Sequence, residues 1–148
     1  PYQGDLSKVS ATVNFGYDNE VSKPYYYGVD LDDYDIHVAY APSHQSGIYR
    51  LDFAHPDMPS YLIFNTRNGE LTTDGRNVCG FQNLGGNTRV YIYMETKERP
   101  VKIGTHQGTA IRMDNETEGE NAYLFWNILR GLEASISLWR IFHFHRAG

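Results

Sequence analysis

From Tyr25 to Phe53 the chain alternates between apolar and polar residues with period two, interrupted twice by turn-forming residues. Tyr25, Tyr27, Val29 and Leu31 fall on one face of an extended strand, with Tyr26, Gly28 and Asp30 on the other. Asp32-Asp33 supplies a turn, because a short carboxylate side chain accepts from nearby backbone amides. Ile36, Val38 and Tyr40 form the inward face of the return strand. After the loop Pro42-Ser43-His44-Gln45-Ser46-Gly47, Tyr49, Leu51 and Phe53 face one way and Arg50 and Asp52 the other. A helix repeats every 3.6 residues, so this register does not fit one. The stretch predicts three antiparallel strands joined by two turns.

The pattern continues. Tyr61 to Phe64 is a short apolar run flanked by Pro59-Ser60 and Asn68-Gly69, and Asn-Gly predicts a hairpin. Thr73-Asp74-Gly75 predicts another turn. Thr88 to Thr96 alternates again, with Val90, Ile92 and Met94 opposite Tyr91 and Tyr93, and Val101 to Thr105 begins a further strand after Pro100. Strands recurring about every ten residues between Gly, Asn and Asp turns predict an all-β fold, an antiparallel β-sandwich. The end of the chain reads differently. Asp114 to Glu120 is an acidic loop, and Leu129, Leu132, Ile136 and Trp139 stand at helical spacing. The expected organisation is a sandwich over 1–125 and an off-pattern, irregular or helical tail over 126–148.

With 148 residues the chain is long enough for one domain with a core. Its net charge of −5 and lack of a basic stripe argue against nucleic acid as a partner. No apolar run approaches the ~20 residues of a membrane-spanning helix. The chain opens Pro1-Tyr2-Gln3-Gly4, without a signal-peptide pattern. The single cysteine, Cys79, excludes an internal disulfide and is expected to pack as a small apolar side chain. Twelve tyrosines favour strands and sugar-facing surfaces, although strand propensity alone enriches tyrosine too.

The densest carboxylate cluster is Asp30, Asp32, Asp33 and Asp35. Calcium takes several oxygens from a compact loop, but the glycine and closing glutamate of an EF-hand are missing, and an acidic turn accounts for the cluster equally well. Glycoside hydrolysis uses two carboxyl groups about 5 to 9.5 Å apart, and the sequence selects no such pair. Glu116, Glu118 and Glu120 read as a solvated loop. His143 and His145 would share a face of a strand, half of a zinc site without further ligands. His37, His44, His55 and His106 are scattered, as surface or hydrogen-bonded histidines are. There is no phosphate loop, GxSxG or HExxH. Asn115-Glu116-Thr117 is a glycosylation sequon, relevant only in a eukaryotic secretory pathway. No catalytic or metal-binding residue is assigned, and substrate-binding residues are left unknown. Tyr25, Tyr26, Tyr27, Tyr91 and Tyr93 would be the stacking platform if the chain were an autonomous carbohydrate-binding module.

Tyr26-Tyr27-Gly28-Val29-Asp30-Leu31-Asp32-Asp33-Tyr34-Asp35-Ile36-His37-Val38, followed by Gly47-Ile48-Tyr49-Arg50-Leu51-Asp52-Phe53, resembles the segment "YYSVxLDDYDIxVE…TxRxGIYRxxF" of the N-terminal domain of glycoside hydrolase family 92 α-mannosidases. Asp18-Asn19-Glu20-Val21 is similar to that family's "SHxNEVAxPGYYSV", with Gly16-Tyr17 where the family has Ser-His. Gly80-Phe81-Gln82 resembles its "GxQ" strand, and Gly119-Glu120-Asn121-Ala122 its "GxNA" turn. The likeness runs from about Asn14 to about Trp126. It implies a supersandwich-like β-sandwich, incomplete here, and no enzyme by itself. The parent would be a calcium-dependent, inverting exo-α-mannosidase, secreted or periplasmic. Its general acid, general base and calcium would lie in an (α/α)₆ catalytic domain missing from this chain, and its substrate would be a mannose-containing glycan. The family continues "RYGxSFISTEQA" where this chain has Ser137 to Gly148. A one-base shift of reading frame permits that motif, so the last twenty or so residues are expected to be an off-frame translation. Loss of the native final strand would leave an open sheet edge.

Overall fold

The computed structural model describes residues 1–10, 16–44, 46–86, 88–96, 99–107, 110–119, 122–128 and 134–144. They form two sheets with antiparallel pairing throughout. The smaller sheet runs, edge to edge, β1 (Tyr2–Gln3), β6 (Ser60–Asn65), β13 (Ala122–Ile128), β10 (Lys102–Gln107) and β11 (Ala110–Arg112). The larger runs β12 (Glu116–Gly119), β7 (Gly69–Thr73), β8 (Asn77–Gly85), β9 (Thr88–Thr96), β14 (Ala134–Phe144), β5 (Ser46–Phe53), β4 (Ile36–Pro42), β3 (Tyr26–Leu31) and β2 (Tyr17–Lys23). The expected all-β sandwich is present.

The core fills the space between the sheets. Leu62, Phe64, Leu124, Trp126 and Ile128 from the smaller sheet meet Ile36, Leu51, Phe53, Leu71 and Val78 from the larger. Trp126 is fully buried, with its ring edge-on to Phe64 at 5.4 Å between centroids. Each such side chain contributes roughly 1.5–3 kcal/mol on burial. The inward faces expected for β4 and β5, Ile36 and Val38 with Tyr49, Leu51 and Phe53, are the ones that pack here.

β13 is covered on both faces. Its alternate residues Tyr123 and Phe125 pack away from the main core against Tyr2, Val9 and Tyr61. The Tyr123 hydroxyl donates to the Val9 carbonyl at 2.6 Å. Phe125 lies over Gly104 of β10, where any Cβ would collide with the ring. Burial on both sides is why this strand reads as an almost unbroken apolar run rather than an alternation.

Thr73-Asp74-Gly75 is a hairpin turn as expected, closing β7 on β8 with Thr73 opposite Val78. The Asp74 carboxylate accepts from the backbone amides of Arg76 and Asn77 at 2.8 and 2.7 Å, and Gly75 takes φ +84°. Asn68-Gly69 is not a hairpin. β6 and β7 belong to different sheets, and Asn68 at φ 52° turns the chain from one to the other. The local signal was for a turn, and tertiary packing decided what the turn connects. Cys79 does not pack as an apolar side chain; it is exposed on β8.

The tail also departs from expectation. Residues 134–144 are strand, not helix, and β14 lies inside the larger sheet, not beyond an open edge. Trp139 is in register with Ser46 of β5 and with Tyr93 of β9. Ile136, Leu138, Arg140 and Phe142 also stand two apart, so a strand period coexists with the helical one. The ladder offered on both sides by β5 and β9 decides between them. Leu129 and Leu132, on which the helical spacing also rested, lie outside the described residues. No helix among the described residues is long and apolar enough to cross a membrane.

Candidate functional site

The β3–β4 connection is a 3₁₀ turn, Asp32–Tyr34, followed by Asp35 in the left-handed region at φ 48°, ψ 47°. Backbone and carboxylate contacts fix it. The Asp32 amide donates to the Gly16 carbonyl at 3.0 Å, and the Gly16 amide donates to an Asp33 carboxylate oxygen at 3.0 Å. The Ala54 amide donates to the Asp35 carbonyl at 3.2 Å, and the His55 ring meets the Asp35 carboxylate at 2.9 Å. These contacts tie the turn to the start of β2 and to the end of β5.

Beside this turn, strand register sets four polar residues in one row. Asp18 of β2 is opposite Asp30 of β3, Asp30 is opposite His37 of β4, and His37 is opposite Asp52 of β5. His37 Nδ1 lies 2.5 Å from Asp30 Oδ1, and the Asn19 side-chain amide donates to the other Asp30 oxygen at 2.8 Å. The row and the turn line an open cleft of about 450 Å³ that includes Asp32 and Asp35, with Phe53 at its base.

Two neighbouring carboxylates here are driven apart. The hydrogen bond from His37, then that from Asn19, holds Asp30 below the usual carboxylate range. Partial desolvation, followed by repulsion from Asp18, Asp33, Asp30 and Asp35, pushes Asp32 above it. Such a pair gives one acceptor-only carboxylate beside one more readily protonated group, a donor–acceptor arrangement suited to hydroxyl-rich ligands. No three His, Cys, Asp or Glu side chains among the described residues converge as a metal site. Asp30, Asp33 and Asp35 are instead engaged by His37, Gly16 and His55. The calcium expected of the parent enzyme therefore finds no ligand set here, and no step is derived through it.

Of the residues singled out in the sequence, Asp30, Asp32 and Asp35 come together in the cleft, while Asp33 turns to Gly16. Glu116 and Glu118 are exposed on edge strand β12, and Glu120 is outside the described residues. His143 pairs in register with Arg89, and His145 is outside the described residues. The five tyrosines do not form one platform. Tyr25 sits in the β2–β3 turn, Tyr26 and Tyr27 point to opposite faces as strand neighbours must, and Tyr91 and Tyr93 lie on β9, with β14, β5 and β4 between it and β3. Tyr91 instead keeps company with Phe81, whose ring carries the Arg89 guanidinium at 4.4 Å. Sequence reasoning missed His37, Asp18, Asn19 and Asp52 as cleft residues. The signal was available for His37: folding β3 onto β4 about the acidic turn puts it opposite Asp30.

A family model described as the glycosyl hydrolase family 92 N-terminal domain matches residues 1–142. The chain belongs to this family. Solved structures with the same fold include an inverting family GH92 mannosidase of Bacteroides thetaiotaomicron, at TM-score 0.80 and 18% identity, covering 97% of this chain and 21% of that one. An α-mannosidase of family GH92 from the same organism has TM-score 0.73 and 17% identity, over 85% of this chain and 20% of the other. A GH92-family glycosyl hydrolase aligns at TM-score 0.68 and 13% identity, over 85% and 20%. The family 92 domain described here thus spans about a fifth of the length of the structures it matches. The comparison with curated proteins gave no match.

Proposed function

We propose that this family 92 N-terminal domain is the non-catalytic sandwich of an inverting, calcium-dependent exo-α-mannosidase. It would pack on a separate catalytic domain and help shape the pocket for a mannose-containing glycan. The observation that carries the reading is the family match over residues 1–142 in a chain that spans about a fifth of the mannosidases it resembles. In an inverting mechanism a general acid protonates the leaving oxygen while a base activates water on the opposite face, and neither role is assigned to this chain. The row Asp18–Asp30–His37–Asp52 is the part of this domain best suited to contribute, through hydrogen bonds to sugar hydroxyls. On this reading the off-frame origin of the tail stands as a further proposal, and a codon set unable to spell the family motif in the shifted frame would remove it.

The test is mannose release from an α-mannoside by the purified chain, alone and mixed with a family 92 catalytic domain. The expected result is no release alone and turnover only in the mixture, reduced by Asp30→Asn. Release by the isolated chain, abolished by changing one of its own carboxylates, would overturn the proposal. Clear glycan binding by the isolated chain, with no dependence on a second domain, would favour the autonomous binding module.

A further inference from the structure

The two sheets differ in width, and the mismatch leaves a place for another strand. β6 is paired with β13 along its whole length, Ser60 to Asn65. Its other side is paired only at the start, where Tyr2 lies opposite Tyr61 and Gln3 opposite Ser60. Leu62 to Asn65 therefore have no strand partner on that side among the described residues. A strand edge left open in this way is a template for a further extended segment.

Beside that edge lies an apolar cleft of about 330 Å³ between the sheets, with Leu62 and Phe64 of β6 on one wall and Val38, Leu51, Ile92 and Met94 of the larger sheet on the other. Pro1 lies at the same cleft, and burial pushes its amine pKa down, so a charge is disfavoured there. We infer that the Leu62–Asn65 edge is a strand-addition site for an extended polypeptide segment with apolar side chains at alternate positions. Main-chain hydrogen bonds to β6 would provide the attachment, and the cleft would select the side chains. The register is set by the β1 pairing already present. Continuing it beyond Tyr2 puts Pro1 opposite Leu62, the next position opposite Ile63 and the one after that opposite Phe64. Leu62 and Phe64 belong to the core between the sheets, whereas Ile63 packs against the cluster on the other face. The guest residue opposite Phe64 is thus the one that enters the cleft.

The chain itself can be made to present such a strand. Three residues added ahead of Pro1, reading Thr-Val-Thr, put valine opposite Phe64, and tethering gives the guest a high effective concentration. Thr-Asp-Thr is the matched control. The readout is hydrogen exchange across Leu62–Asn65 with the melting temperature. The expected result is exchange slowed by about tenfold or more and a raised melting temperature with Thr-Val-Thr, and neither with Thr-Asp-Thr. Equal behaviour of the two extensions, or no protection by either, would overturn the inference. Protection in the unextended chain that grows with protein concentration would assign the edge to a second copy and overturn it as well.

Discussion

β13 and β2 are both seven-residue strands, yet the molecule treats them in opposite ways. In β13, Tyr123, Leu124, Phe125 and Trp126 are 3%, 0%, 1% and 0% exposed, so neither face meets water. In β2 every residue is exposed, including Tyr17 and Val21. β2 is held by its ladder to β3 alone, and that ladder is interrupted between Asp18 and Val21, where Asn19 adopts φ 52°. A bulge with Lys23 and Pro24 nearby blunts the edge against further pairing. The comparison separates two ways of being a strand: β13 is made by burial and β2 by pairing. The cleft residues Asp18 and Asn19 sit on the second kind, where the backbone can bend for function at little cost to the core.

The harshest test of this contrast removes a strand whose role is pairing but whose place is central. Ending the chain at Ile128 deletes β14, which lies between β9 and β5, and so splits the larger sheet. Loss of a cooperative melting transition, followed by near-ultraviolet circular dichroism, is the expected outcome. A truncated chain that melts like the full one would show that pairing contributes little here.

Next in size is Trp126→Ala, expected to cost about 3–5 kcal/mol in denaturant unfolding because it empties the core on β13. Val21→Ser on β2 should change stability by no more than about 0.5 kcal/mol. Comparable losses at the two sites would break the distinction.

Tyr123→Phe should cost about 1–2 kcal/mol, since it leaves the buried Val9 carbonyl without its donor. Burial raises the Tyr123 pKa from 10.0 to about 12. The neutral phenol is thus favoured by folding; its contribution is complete below pH 10.0 and is lost as pH rises through about 12. The wild-type chain should lose more stability across that alkaline window than Tyr123→Phe, in melts at matched pH.

The smallest effects belong to the cleft, and they have opposite signs. Asp32 is raised above 3.8, so its ionised form opposes folding; Asp32→Asn should raise the melting temperature at pH 7, and the gain should fade as the solution is acidified below 3.8. Asp30 is depressed below 3.8, so its contribution is present at neutral pH and is lost as pH falls through the depressed value. Asp30→Asn should therefore lower the melting temperature at pH 7, by an amount that disappears in acid. Melts of both variants from pH 3 to 7 check the crossing of signs, and shifts of the same sign would refute it.

The alternation in Tyr26–Leu31, Ile36–Tyr40 and Tyr49–Phe53 was readable because each of these strands has one face toward the core, so period two survives in the residues. The placement of β13 and β14 was not. β13 lacks a polar face, and β14 carries helical and strand spacing together, so only neighbours remote in sequence choose between them. Asn68-Gly69 likewise announced a turn without saying which strands it joins. Within the site, the acidic turn was visible as a motif. The Asp18–Asp30–His37–Asp52 row needed registers across four strands, one of them bulged, which no local pattern encodes.

The position of β14 has a consequence for how the molecule is made. The strands on either side of it, β5 and β9, are synthesised earlier, yet they are not neighbours until it arrives. While the ribosome is still adding the residues before Ala134, the larger sheet can exist only as two separate flaps with facing unpaired edges. Such long-range closure is slow and leaves those edges open to wrong pairing in the interval. During translation this domain is therefore most vulnerable to aggregation just before it is finished, which is when a chaperone would have the most to do.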